Sequence, residues 1–242
     1  CLKFPLLRRK ALEGASQSSS HYVVHFEKHK TKTNMRKTQT KQHLVEQFDS
    51  AETLLSISPY PDRGETYSPG TTGVASYTKN VITHLNRPVV VLGDMRNNKK
   101  SHYQEENTFV IRSFVPNTFK IWWVLLKEIA RFKKAKHILM QFDFTMYGSM
   151  FISALILPFI IAVRMLGKEV HLVSHHVVTD ASKIKGHLGL TSSRFDAFKA
   201  SLYTFAFYCF YLVLGAVTSS VIILEESLKQ QLAPVIAYKK LV

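Results

Sequence analysis

Cysteine is almost missing from this chain. Its 242 residues hold two, Cys1 and Cys209, too few and too far apart for a disulfide scaffold or a cysteine metal site, which fits a reducing compartment. No His-Glu-x-x-His, Cys-x-x-Cys or Asp-x-Asp spacing occurs, so the sequence predicts no protein-bound metal. Neither Gly-x-Gly-x-x-Gly nor a Gly-Lys-Ser/Thr phosphate loop is present, which removes the two commonest nucleotide-binding signatures. Acidic residues are scarce as well: 17 Asp and Glu face 32 Lys and Arg, for a formal net charge of +15. That excess attracts phosphates, whether of nucleic acid, anionic lipid or a nucleotide-bearing substrate. Hydrophobic residues make up 46%, enough to bury a real core, so the chain is not disordered throughout.

Organisation changes near residue 50. Residues 1–50 carry a serine cluster at 16–20 and then a Lys-, Thr- and His-rich stretch with little apolar content, which predicts a basic, disordered arm. No aromatic is interleaved among its lysines between Lys28 and Lys41 and no binding-module motif accompanies them, so a solvated or membrane-surface tail is favoured over a nucleic-acid arm. The chain begins with Cys and stops at "AYKKLV", and the expectation is a piece of a larger protein.

Residues 51–242 read as one α/β domain. Apolar runs at Thr53–Ser58, Pro88–Leu92, Thr108–Phe114, His137–Phe142, Glu169–Ser174 and Ser220–Leu224 are strand-like, and helical periodicity lies between them at about 74–85, 118–134, 148–166, 194–216 and 225–232. Strands apolar throughout, alternating with helices, predict a doubly wound, mostly parallel, Rossmann-like sheet covered on both faces. Trp122 and Trp123 read as core.

Two uncharged stretches pull the other way. Phe144–Val163 and Leu202–Leu224 are each long enough to span a bilayer. If both spanned, the sheet would be impossible, because each lies between strand candidates. The favoured reading is buried or membrane-dipping helices, with Gly215 and Thr218–Ser220 interrupting the second run, and the aromatic segment before Gly215 lying in the interfacial layer beside Arg194 and Lys199.

The chemistry-bearing motifs begin after the first strand. A loop with three glycines and three prolines leads to "GTTGVASYTKNVI", which sets Gly70, Thr71, Thr72 and Gly73 at the entrance to a helix, where exposed N–H groups and the helix dipole favour a phosphate. Turn formation alone is the bland alternative for such glycines. Asp143 after a strand serves equally as a helix cap, Gln141 as a partner for backbone at the sheet end, and His176 as a cap for the next segment.

Together these segments resemble the N-terminal domain of family-4-type glycosyltransferases of the GT-B fold. "SPYP…GTTGVASYTKNVI" is similar to that family's first strand, glycine loop and first helix, and "HILMQFDFTMYGS" to its fourth-strand segment, with Asp143 where Glu is more usual. "KEVHLVSHHVVTD" resembles the fifth strand ending in a histidine at the cleft, His176 with His175 as the adjacent competitor, and "SSVIILEESLKQQL" resembles the strand and helix closing the domain. The resemblance implies a retaining hexosyltransferase-like enzyme that uses a nucleotide-sugar as co-substrate, with no other cofactor. Gly70, Thr71, Thr72 and Gly73 would then meet the donor, Gln141, Asp143 and Gly148 the acceptor, and His176 or His175 the reaction centre. The donor domain with its carboxylate pair would lie beyond the chain, leaving this half inactive alone. A glycan or lipid-linked acceptor and peripheral association with the cytoplasmic face of a membrane complete that expectation. A polytopic membrane protein and a non-catalytic nucleotide-binding module are the alternatives.

Overall fold

Short apolar runs bounded by turn residues pair side by side in a seven-stranded sheet of order β3-β4-β2-β1-β5-β6-β7. The strands are β1 (Leu54–Ile57), β2 (Val89–Asp94), β3 (Ser101–Glu105), β4 (Thr108–Phe114), β5 (His137–Phe142), β6 (Glu169–Ser174) and β7 (Ser220–Ile223). The computed structural model describes residues 40–67, 72–184, 186, 190–191, 193–236 and 240–242, all within the compact unit Gln39–Val242. Every pairing is parallel except that of β3 with β4. With β3 set aside, the order is that of a Rossmann-like sheet: the chain steps outward from β1 to β2 and β4, returns to β5, and steps outward the other way.

Alternation along the strands feeds two cores. Leu55, Ile57, Val90, Leu92, Ile138, Met140 and Leu172 point to the face covered by α3 (Lys120–Ile129), α5 (Ile156–Met165) and α6 (Arg194–Val217). Leu54, Val89, Val91 and Val110 point to the other, where Ile82 of α2 (Gly73–Thr83) packs. Buried on both faces, the central strands need no polar alternation, which is why their continuous apolar runs were readable.

Several local findings differ from the sequence reading. Residues 41–48, placed in the disordered arm, form α1 (Lys41–Phe48), capped by Thr40, with Leu44, Val45 and Phe48 buried in the larger core. Strand β3 was not anticipated. It is the antiparallel edge, turning into β4 through Glu106 at φ 47°, and its residues are half-buried and polar because only one side is paired. The segment 148–166 breaks at Leu155 into α4 (Met150–Ala154) and α5, with Pro158 in the first turn of α5, where its missing N–H costs no helical bond. Gly215 does not interrupt α6. The helix runs on to Val217, and a Cβ at Gly215 would press against the Ile236 side chain at 3.0 Å.

Lysines finish two elements from a distance. Lys240 Nζ donates to the carbonyls of Gly215, Ala216 and Thr218 at the end of α6. Lys168 Nζ donates to those of Phe132, Lys133 and Ala135 after α3, and burial lowers its pKa. Trp122 is buried and donates to the Ile152 carbonyl, whereas Trp123, expected in the core, is 60% exposed beneath Lys127.

Candidate functional site at the carboxyl edge

The strand order reverses between β1 and β5, and in sheets of this topology ligands collect where the loops leaving two such neighbours diverge at their carboxyl ends. Four of the anticipated residues lie there. His175 Nε2 is 2.8 Å from Gln141 Oε1, and its ring meets Tyr77 of α2 edge-on at 5.4 Å between centroids. His176 Nδ1 makes a very short hydrogen bond with Asp143 Oδ2. Tyr77 lies one turn from Gly73, so the start of α2 and the His175–His176 pair share one end of the molecule.

The electrostatics give these groups distinct states. Burial alone would raise the Asp143 carboxyl, but donation from the Thr145 amide and hydroxyl, both at 2.9 Å, and from His176 outweighs it and holds the carboxyl below its ordinary range. An ionised Asp143 accepts from His176 Nδ1–H, which leaves Nε2 of a ring that is 74% exposed facing outward as base or donor. Burial, more than the neighbouring His176 charge, lowers His175, favouring its neutral form. Gln141 is fully buried, and its Nε2 has no hydrogen-bond partner, an unspent donor beside the two histidines.

The supports are deep. Tyr147 is fully buried against Trp122 and Phe114, its OH donates to the Gln141 carbonyl at 2.7 Å, and burial raises its pKa far above the ordinary phenol value. Gly148 has φ 136°, and a Cβ there would lie 2.6 Å from Asn117 Cα, so packing of the β5 loop against the Asn117 turn already demands a glycine. Thr72 caps α2, its hydroxyl accepting from Ala75 N at 3.2 Å. Gly73 opens that helix with open space where a Cβ would stand and no left-handed φ, so nothing in the fold requires glycine there. Gly70 and Thr71 lie outside the described residues.

Sequence reasoning missed a buried arginine. Arg112, interior to β4, donates to the carbonyls of Tyr60 at 2.6 Å and Pro61 at 2.5 Å and meets Asp94 and Asp62 at 3.4 Å each, clamping the chain as it leaves β1. Glu105 of β3 accepts from Gly64 N at 2.5 Å and pairs with Lys79 of α2, holding the same loop from its other side. The one signal was a charge inside the apolar run "TFVIRSF".

The outer face of α6 departs from what water favours. Ala200, Phe207, Tyr211 and Leu214 face the core, yet Phe195, Phe198, Leu202, Phe205, Tyr208 and Leu212 are exposed on the solvent side, where a surface helix should be polar. Neighbouring α5 exposes Ile161 and Met165. Among the described residues α6 is the one helix long and apolar enough to cross a membrane. No family model matches the chain, and no curated protein matches it in sequence.

Proposed function

We propose that the chain is the acceptor-side half of a GT-B-fold glycosyltransferase of the family-4 type, a doubly wound Rossmann-like domain that works at the cytoplasmic face of a membrane. The observation that carries this reading is the juxtaposition of an oriented His176–Asp143 pair with the N-terminus of α2 at the strand-order reversal. A helix N-terminus supplies backbone donors for a diphosphate. An imidazole whose Nδ1 is engaged by a carboxylate presents Nε2 to a sugar or acceptor hydroxyl as donor or base. The open space at Gly73 admits a ligand close to the main chain. Gly148 serves the acceptor side by shaping the β5 loop.

Membrane association rests on the apolar outer face of α6 together with Arg194 and Lys199 near its start, a combination that seats a helix among anionic headgroups. The uncharged stretches at 144–163 and 202–224 flank or enter strands of one sheet, so the same residues serve as core and surface helices rather than as a pair of spans.

The test is transfer of labelled hexose from uridine, guanosine and adenosine diphosphate sugars into a lipid extract, by the protein together with whatever its reading frame adds downstream. Incorporation that is lost in His176→Ala is expected. Nucleotide binding without transfer from any donor favours a non-catalytic module and overturns the proposal. Flotation with anionic vesicles checks the second part: binding falls in a Phe198→Ser, Phe205→Ser variant, and retention in the pellet after an alkaline wash contradicts a peripheral attachment.

A further inference from the structure

The same two strands that end in His175 and Asp143 begin with a second group of ligating side chains. His137 and Glu169 are direct partners in the β5–β6 register, and His171, two residues beyond Glu169, emerges on the same face of the sheet. One donor atom from each lies within 4.8 Å of the other two. His137 Nδ1 and Glu169 Oε2 stand 3.4 Å apart. This is close to the roughly 3.3 Å that separates two donors on one tetrahedral zinc with bonds of about 2.05 Å. The two imidazoles lie 5.7 Å apart between centroids, tilted by 32°. Ser220 of β7, the register partner of His171, takes its Nδ1 at 2.9 Å, fixing that ring and leaving Nε2 to the cluster, as an outer-shell partner does for a metal-bound histidine. Val170 and Leu172 point to the face that carries α5, so the three ligating side chains project from the opposite one, where both histidines are half-buried and Glu169 is exposed.

We propose that His137, Glu169 and His171 form a binding site for one divalent transition-metal ion of the zinc class, with water completing the coordination. Two imidazoles and one carboxylate suit zinc, cobalt or nickel and disfavour the hard, oxygen-seeking magnesium and calcium. The exposed Glu169 and the half-buried rings need to draw together by up to about 1.5 Å, which side-chain rotation supplies. The ion bridges the amino ends of β5 and β6, at the opposite end of both strands from His176, and the proposal is independent of any glycosyl-transfer reading.

The chain has 11 histidines, so the test must locate the ion as well as count it. Titrating the whole chain with cobalt(II) should give one equivalent with a visible d–d absorption band that zinc displaces and magnesium does not. Paramagnetic broadening in the unmodified protein should centre on the His137 and His171 imidazoles. His137→Ala and His171→Ala should each weaken binding by at least about 100-fold, and Ser220→Ala by roughly 10- to 100-fold through the outer shell. Broadening centred on His175 and His176 or on the histidines before residue 40, or binding unchanged in His171→Ala, would overturn the site.

Discussion

The two ends of strands β5 and β6 carry the same chemistry in different settings. At the carboxyl end, Gln141, Asp143, His175 and His176 are held from behind by Tyr147, by the Asn117 turn and by the ring of Tyr77. At the amino end, His137 and His171 are half-buried and Glu169 is exposed, and Ser220 is hydrogen-bonded to His171. The first is built into the fold by the strand-order reversal and the loops it frees. The second is brought together by strand register, with the His171 ring held by Ser220. Preorganisation, more than residue type, separates the two ends.

Substitutions should therefore weigh differently at the two ends. The largest effect is expected from Arg112→Ala, which strips the clamp from the Tyr60 and Pro61 carbonyls and leaves Asp94 to Arg96 and the Tyr60 amide. Chemical denaturation should show a loss of roughly 3–5 kcal/mol, and a loss under about 1 kcal/mol would mean that the carboxyl-end loop stands without it. Gly148→Ala comes next, at roughly 2–3 kcal/mol, because it combines a left-handed φ with overlap against the Asn117 backbone. An unchanged midpoint would remove the reason given for that glycine.

A smaller effect is expected from pH. His175 has a folded pKa below its ordinary value, so the unfolded chain takes the proton first. Its contribution is present above the ordinary imidazole range and is lost as pH falls through it, at no more than about 1.4 kcal/mol per pH unit per proton. Asp143, also depressed, contributes in the same sense, and its share is lost below the carboxylate range. His175→Gln should flatten the stability profile between about pH 7 and 5. An unaltered slope contradicts the buried, neutral assignment. The smallest effect belongs to the amino end, where Glu169→Gln in metal-free protein should change stability by less than about 0.5 kcal/mol. A larger loss would mean that this end is built into the fold as well, and the contrast would fail.

Legibility in the sequence follows the same division. Strands β4, β5 and β6 were readable residue for residue because a mainly apolar, β-branched-rich run stands between turn residues, even though His137, Glu169 and His171 leave one face of β5 and β6 polar. Edge strand β3, "SHYQE", has no such run, since one side meets solvent, and α1 hides three core residues in a Lys- and Gln-rich stretch. The carboxyl-end residues stood out because a polar group following an apolar strand is conspicuous. Arg112 could be noticed but not placed, its partners being 18 and 50 residues away. The amino-end cluster was invisible, because 32 residues separate His137 from Glu169 and only register brings them together. The glycines divide too: Gly148 and Gly215 are explained by packing, and Gly73 by nothing the fold contains.

The most direct test of the contrast follows the side-chain nitrogens of His137, His171, His175 and His176 by NMR while a nucleoside diphosphate sugar is added to the metal-free protein. His175 and His176 should shift together with the Gly73 amide, and His137 and His171 should stay still. Movement of the amino-end pair alone, or of no histidine at all up to millimolar sugar nucleotide, would contradict a ligand site at the carboxyl edge.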